Sequence, residues 1–181
     1  MKIDLHNHSK YSDGVLSVKE LLNLAKEKKI DIMGLTDHDS VFGVDEAYTY
    51  GKEVGVKVLK GMELSTFHKG QTVHIVCYFK NNVIPKELYE FSQNIINTRL
   101  QRAHKMINKI KDYYKINIDE DFLFKNSCIV TRGNMYQCIL HSNPDIDHTL
   151  AQQMISDDSP CYIPASKMTT EEGIKLLNNL G

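Results

Sequence analysis

The sequence predicts an α/β fold, a parallel sheet or barrel with a helical insertion. Two observations predict it. Over the first 80 residues the hydrophobic periodicity alternates strand, helix, strand, helix, strand. From Pro85 the pattern turns helical, first as one long apolar stripe and then as several short ones.

The elements follow in order. Ile3 to His6 is a short strand-like run. Ser17-Val18-Lys19-Glu20 has the form of a capping box, and Leu21, Leu22, Leu24 and Ala25 continue it at near-helical spacing. Lysines at 26, 28 and 29 suit the negative end of that helix. Ile30 to Leu35 is a second strand-length run, closed by Thr36-Asp37. A helix is predicted from Val44 to Val54, stopped by Gly55. Val56, Val58 and Met62 lead a third strand into Glu63-Leu64-Ser65, His68-Lys69-Gly70 reads as a turn, and Val73, Ile75 and Cys77 alternate on the returning strand. Pro85 opens a helix to Tyr114, with Leu88, Phe91, Ile95, Leu100, Ala103, Ile107 and Ile110 along one side. Shorter helices are expected at 119–125, 133–141 and 147–155. Pro160 to Pro164 breaks the run and is expected to return the chain to the sheet. Thr169-Thr170-Glu171-Glu172 caps a last helix to Leu180. The expected division is 1–82, an inserted helical subdomain at 83–160, and a return to the sheet body at 161–181.

Composition narrows the function. The chain has 181 residues, 41% hydrophobic and 25% charged, with a formal net charge of −1. That excludes whole-chain disorder, collagen and coiled coil. It also argues against a protein that holds duplex nucleic acid by a bulk positive field. No apolar run approaches the ~18–20 residues of a membrane span. The N-terminus carries Asp4 and His6 where a signal peptide needs apolar residues, so a cytoplasmic protein is expected. Cys77, Cys128, Cys138 and Cys161 form no CxxC pair and read as packing residues. Residues 99–115 carry six basic side chains against Asp112 alone, and Arg99 and Arg102 share a helix face.

The chemistry gathers at strand ends. His6 and His8 lie two apart on a strand and so point to one face, near enough to grip one ion. Asp13 follows in the turn Ser12-Asp13-Gly14. Thr36-Asp37-His38-Asp39 ends the second strand, where parallel α/β folds place their sites. There Asp39 is expected to cap the following helix. Glu63 ends the third run and His74 lies within the fourth. Four consecutive strands thus each present a side chain of ligand type. His68, His104, His141 and His148 fit no such pattern and read as surface or packing residues.

Leu5-His6-Asn7-His8-Ser9, Ser12-Asp13-Gly14, Thr36-Asp37-His38-Asp39, Gly61-Met62-Glu63-Leu64-Ser65 and Val73-His74-Ile75 together resemble the PHP (polymerase and histidinol phosphatase) domain family, and within it the stand-alone nucleotide phosphoesterases. The resemblance implies a distorted β/α barrel of the PHP type, incomplete at its C-terminal side. It implies up to three divalent ions, manganese, iron or zinc. His6 and His8 would hold one. Glu63 would bridge it to a second held by His74, and Asp13 and His38 would hold the third. Asp37 is expected either to orient a ligand histidine by hydrogen bond or to serve the loop it stands in. Arg99 and Arg132 match arginines that hold substrate phosphate, although Gly133-Asn134 stands where relatives have Pro and His. The implied activity is that of a hydrolase, a metal-dependent phosphoesterase cleaving phosphate esters of nucleotides or short oligonucleotides through a metal-bridged hydroxide, with no general acid identified. The alternatives are a non-catalytic PHP metal-binding fragment and an enzyme like histidinol-phosphate phosphatase. The chain ends at Gly181, before the family's later motifs. Each ion is then expected to be one ligand short, and the chain to be weakly active and prone to self-association.

Overall fold

The computed structural model describes residues 1–125, 129–165 and 168–180, which leaves Cys128 outside the described residues. The chain forms two compact units, residues 1–95 with 167–181, and residues 96–166.

The first unit is built on a mixed sheet of order β1-β2-β3-β4, with β1 Ile3–Asn7, β2 Ile32–Leu35, β3 Lys57–His68 and β4 Gln71–Tyr78. The first three strands are parallel, as their helical crossovers require, and β4 returns antiparallel along β3. The turn between β3 and β4 has two residues, Lys69 at φ 45° and Gly70 at φ 84°. Two positive φ values in succession match the right-handed twist of the flanking strands. Helix α1 (Val18–Glu27) starts at the Ser17–Glu20 capping box, and α2 (Val44–Val54) ends at Gly55 with φ 80°. Leu22, Met33, Leu35, Val58, Met62 and Leu64 form the centre of the core, and Leu88, Tyr89 and Phe91 from the start of α3 (Lys86–Tyr114) join it.

One expectation is corrected. Asp39 does not cap α2, whose N-cap is Gly43 with no side-chain hydrogen bond. Its carboxylate is engaged by β3 instead. Residues 160–164 form no strand. The chain meets the sheet at Thr169, which bridges Phe67, and Phe67 N–H donates to the Met168 carbonyl at 2.9 Å. Helix α7 (Thr170–Leu180) follows and lies on the β3–β4 hairpin through buried Gly173, where an added Cβ would stand 2.7 Å from Thr66 Cγ2.

The second unit contains the rest of α3 with α4 (Glu120–Lys125), α5 (Arg132–Ser142) and α6 (His148–Met154). Met106, Ile107, Ile110, Leu123 and Ile139 are its fully buried centre. Helix α5 opens one residue earlier than the periodicity suggests, because Thr131 and Asn134 cap it reciprocally. Cys138 and Cys161 are buried and Cys77 is half-buried, all three free thiols, consistent with packing roles.

Candidate metal centre

The sheet brings six predicted residues together. β1 ends at Asn7, and His6 and His8 project from its end with ring centroids 5.0 Å apart. β2 stops at Leu35, and His38 then forms an isolated parallel bridge with Glu63. The backbone clamps Glu63 from both sides. Its N–H donates to the Asp37 carbonyl at 3.1 Å, and its carbonyl accepts from Asp39 N–H at 2.9 Å. The Asp39 carboxylate then accepts from Ser65 N–H at 2.7 Å. Asp39 does this at φ 51°, a left-handed conformation that a short polar side chain tolerates. On β4, His74 pairs in register with Ser65, one alternation from Glu63 and on the same face.

Glu63 is the hub and is 5% exposed. Its Oε2 lies 2.7 Å from His6 Nε2, 3.0 Å from His8 Nε2 and 3.6 Å from His38 Nδ1. Its Oε1 lies 2.9 Å from His74 Nδ1. Asp13 stands 3.5 Å from His8 Nδ1 and 3.6 Å from His38 Nε2. The ligand-type atoms fall into three groups, each within 4.8 Å: His6, His8 and Glu63; His8, Asp13 and His38; His38, Glu63 and His74. A neutral imidazole has one lone pair to give, so His8 and His38 can each serve one ion at a time.

The donor set suits divalent ions. Imidazole nitrogen with carboxylate oxygen fits manganese, iron or zinc. His38 Nδ1 is buried with no hydrogen-bond partner, and an ion is one of the few physical reasons for such an orphan. Burial lowers the pKa values of His8 and His38, against the attraction of Asp13 and Glu63, and neighbouring histidines push the same way. Burial thus favours the neutral form of each ring, which is the form that ligates. Burial pulls Glu63 upward, but the His6 hydrogen bond and the charges of His38, His6 and His74 hold it below the usual carboxylate range.

Asp37 takes the second of its two expected roles, that of the loop. It reaches no histidine ring. It accepts from Ser9 N–H at 2.7 Å, Ser9 Oγ at 2.7 Å and Ser12 Oγ at 2.6 Å. Ser12 Oγ in turn lies 3.4 Å from His8 Nδ1. Asp37 thus ties down the loop that carries Asp13 back to His8. Burial raises its pKa, opposed by the Ser12 and Ser9 hydrogen bonds. Ser9 and Ser12 escaped the sequence reading, and their spacing between the His8 and Asp13 positions was the available signal.

The predicted phosphate-binding arginines lie in the second unit. Arg132 pairs with Asp157 at 2.6 Å. Arg99 is near enough to Arg102 to act on it electrostatically. The four remaining histidines are engaged elsewhere. His68 pairs with Glu171 at 3.2 Å, His104 with Glu120 at 2.9 Å, His148 with Tyr136 at 2.6 Å, and His141 stacks on Phe122 at 3.8 Å.

Comparison with known proteins extends the geometry. The family model described as the PHP domain matches residues 4–157. A 5'-3' exoribonuclease of Haemophilus influenzae is 47% identical over 75 residues, 41% of this chain and 27% of that protein. A 3',5'-nucleoside bisphosphate phosphatase of Chromobacterium violaceum is 36% identical over 104 residues, 58% of this chain and 36% of that protein. A crystal structure of an amidohydrolase from Chromobacterium violaceum, with bound sulfate and no metal, superposes with a TM-score of 0.85 at 25% identity over 100% of this chain and 64% of that one. The chain spans less than two thirds of the length of these relatives.

Proposed function

The chain belongs to the PHP domain family, and on that premise we propose that it is a metal-dependent phosphoesterase acting on phosphate esters of nucleotides or short oligonucleotides. One observation carries the reading: a buried carboxylate, Glu63, that meets four histidines, with Asp13 beside two of them. His6 and His8 with one Glu63 oxygen would hold one ion, His74 with the other oxygen a second, and Asp13 with His38 a third. Divalent ions so held supply an activated water near neutral pH and neutralise phosphate oxygens. The protein supplies fixed ligands. Asp39 and Asp37 hold Glu63 and the Asp13 loop in place before any ion binds. Arg99 and Arg132 are assigned to substrate phosphate, which a guanidinium recognises through paired hydrogen bonds. The names of the relatives, an exoribonuclease and a nucleoside bisphosphate phosphatase, support a nucleotide-type substrate.

The test is phosphate release by chelator-treated protein after adding back manganese, iron or zinc one at a time. Substrates are adenosine 3',5'-bisphosphate, adenosine 5'-monophosphate and histidinol phosphate. The expected result is metal-dependent release from the nucleotides and little from histidinol phosphate. Release that ignores chelation, or tight metal binding with no release under any metal, would contradict the proposal, and the latter would favour a non-catalytic metal-binding protein.

A further inference from the structure

Strand β1 carries one extra residue just before the metal centre. Asp4 pairs with Met33 and Asn7 with Leu35, so β1 takes three steps where β2 takes two. Such a bulge reverses the face to which the following side chains point. Leu35 is buried in the core and pairs with Lys60, so by alternation it lies on the face opposite Glu63. An unbroken β1 would set His6 against Leu35, on that core face. The bulge gives that place to Asn7 and turns His6 and His8 to the face of Glu63, whose Oε2 lies 2.7 and 3.0 Å from their Nε2 atoms.

Two side chains hold the bulge. Asn7 Nδ2 donates to the Asp4 carbonyl at 3.2 Å and to the Gly34 carbonyl at 3.3 Å. From the other edge of the sheet, Tyr78 OH donates at 2.5 Å to the Leu5 carbonyl, inside the bulge and next to His6. Tyr78 ends β4 and pairs with Gly61, which puts it on the Glu63 face. To reach β1 its ring passes over β3 and β2, and glycine stands at both crossings. A Cβ at Gly61 would lie 3.1 Å from Tyr78 Cδ1, and one at Gly34 would lie 3.0 Å from Cε1 and 2.3 Å from the Leu5 oxygen.

We propose that Tyr78 is a positioning residue of the metal centre: its hydroxyl, reaching across the sheet over Gly61 and Gly34, fixes the bulge that aims His6 and His8 at Glu63. It acts through the Leu5 carbonyl, one residue before His6. Its effect on ion binding rests on the metal-centre reading above, whereas the aim of the two rings belongs to the metal-free protein.

The test compares Tyr78→Phe with Tyr50→Phe, which removes a hydroxyl bound to Asn23 at 3.1 Å elsewhere in the same unit. Tyr78 is 39% exposed, so the loss of its hydroxyl should leave the protein folded. Gly34→Ala disturbs the bulge directly, because its methyl would crowd the Leu5 oxygen. Histidine ring signals are read by NMR in chelator-treated protein, assigned with His6→Gln and His8→Gln, and zinc affinity is read by calorimetry. Tyr78→Phe should shift the His6 and His8 signals, leave those of His104 and His141 in place, and weaken zinc binding roughly 10-fold, the lower end of the range for removing an outer support of a metal ligand. Tyr50→Phe should do neither. If Gly34→Ala moves the His6 and His8 signals and Tyr78→Phe does not, the bulge aims the rings without Tyr78 and the proposal is overturned. A Tyr78→Phe protein that is less stable in urea but keeps wild-type signals and zinc affinity overturns it as well, since the hydroxyl then serves stability alone. Shifted signals with unchanged zinc affinity would remove Tyr78 from the metal centre. Should the wild type bind no zinc, manganese or iron, the metal reading fails, and the ring signals still decide whether Tyr78 aims His6 and His8.

Discussion

At the scale of single residues, the two aspartates flanking His38 divide the work of holding the centre. Asp39 fastens β3 through Ser65 N–H from a left-handed backbone position. Removing its carboxylate takes an acceptor away from the buried Ser65 N–H and leaves a non-glycine residue at positive φ. Asp39→Ala should therefore destabilise the protein by about 1–3 kcal/mol in urea unfolding, and Asp39→Asn by less, because asparagine keeps both the acceptor and the tolerance of positive φ. Asp37 holds the Ser9–Ser12 loop. Asp37→Asn should loosen Asp13 and cost the protein the ion shared by Asp13 and His38 while sparing the one at His6, His8 and Glu63. Metal content by mass spectrometry of folded Asp37→Asn would show it, and an unchanged content would contradict it. In the sequence the two aspartates look alike, since each adjoins a probable ligand and precedes a helix. Their roles are set by which β3 and loop atoms they meet, and that depends on tertiary register rather than on local pattern. His6, His8, His38, Glu63 and His74 were legible because strand alternation and strand ends fix their positions locally, whereas Asp13 lies in a turn and was singled out only by the family resemblance.

At the scale of elements, helices declared themselves through caps and apolar stripes. Ser17–Glu20 and Thr169–Glu172 both form the reciprocal hydrogen bonds that their spacing announced. The Thr131–Asn134 cap was missed because asparagine replaces the usual Glu or Gln at the third helical position. The prolines at 160 and 164 mark the end of the helical run, while the sheet contact itself forms at Thr169, which no local pattern announces. Glycines test the packing of these elements. At Gly173 an added side chain meets Thr66 Cγ2 at 2.7 Å and Leu64 Cδ2 at 3.0 Å. Gly173→Val should destabilise by about 1–3 kcal/mol through overpacking and speed amide exchange in α7. Gly133, at the second position of α5, meets only Thr131 Oγ1 at 3.6 Å. Gly133→Ala should be neutral or stabilising by up to ~1 kcal/mol through helix propensity. Urea unfolding of both variants checks the contrast.

At the scale of the whole molecule, the six ligand-type residues all belong to the sheet unit and the arginines to the helical one. Ligand binding should therefore act locally. Metal at about 100 times its dissociation constant should stabilise the fold that holds it by about 2.7 kcal/mol. In hydrogen exchange the added protection should fall on β1 to β4 and on residues 36–40, with α4 to α6 unchanged. Equal protection throughout would contradict a centre confined to the sheet. No helix among the described residues is long and apolar enough to cross a membrane.

The central claim is that Glu63 joins two ions while Asp13 serves one. The most direct measurement is the metal content of Glu63→Gln and Asp13→Asn beside the wild type, by mass spectrometry of the intact folded proteins. Glu63 touches three of the histidines within 3.0 Å through two different oxygens, whereas Asp13 faces His8 and His38 at 3.5 and 3.6 Å. Glu63→Gln should lose more metal than Asp13→Asn, by one ion per chain. Equal losses in the two variants would contradict the bridging role and the account built on it.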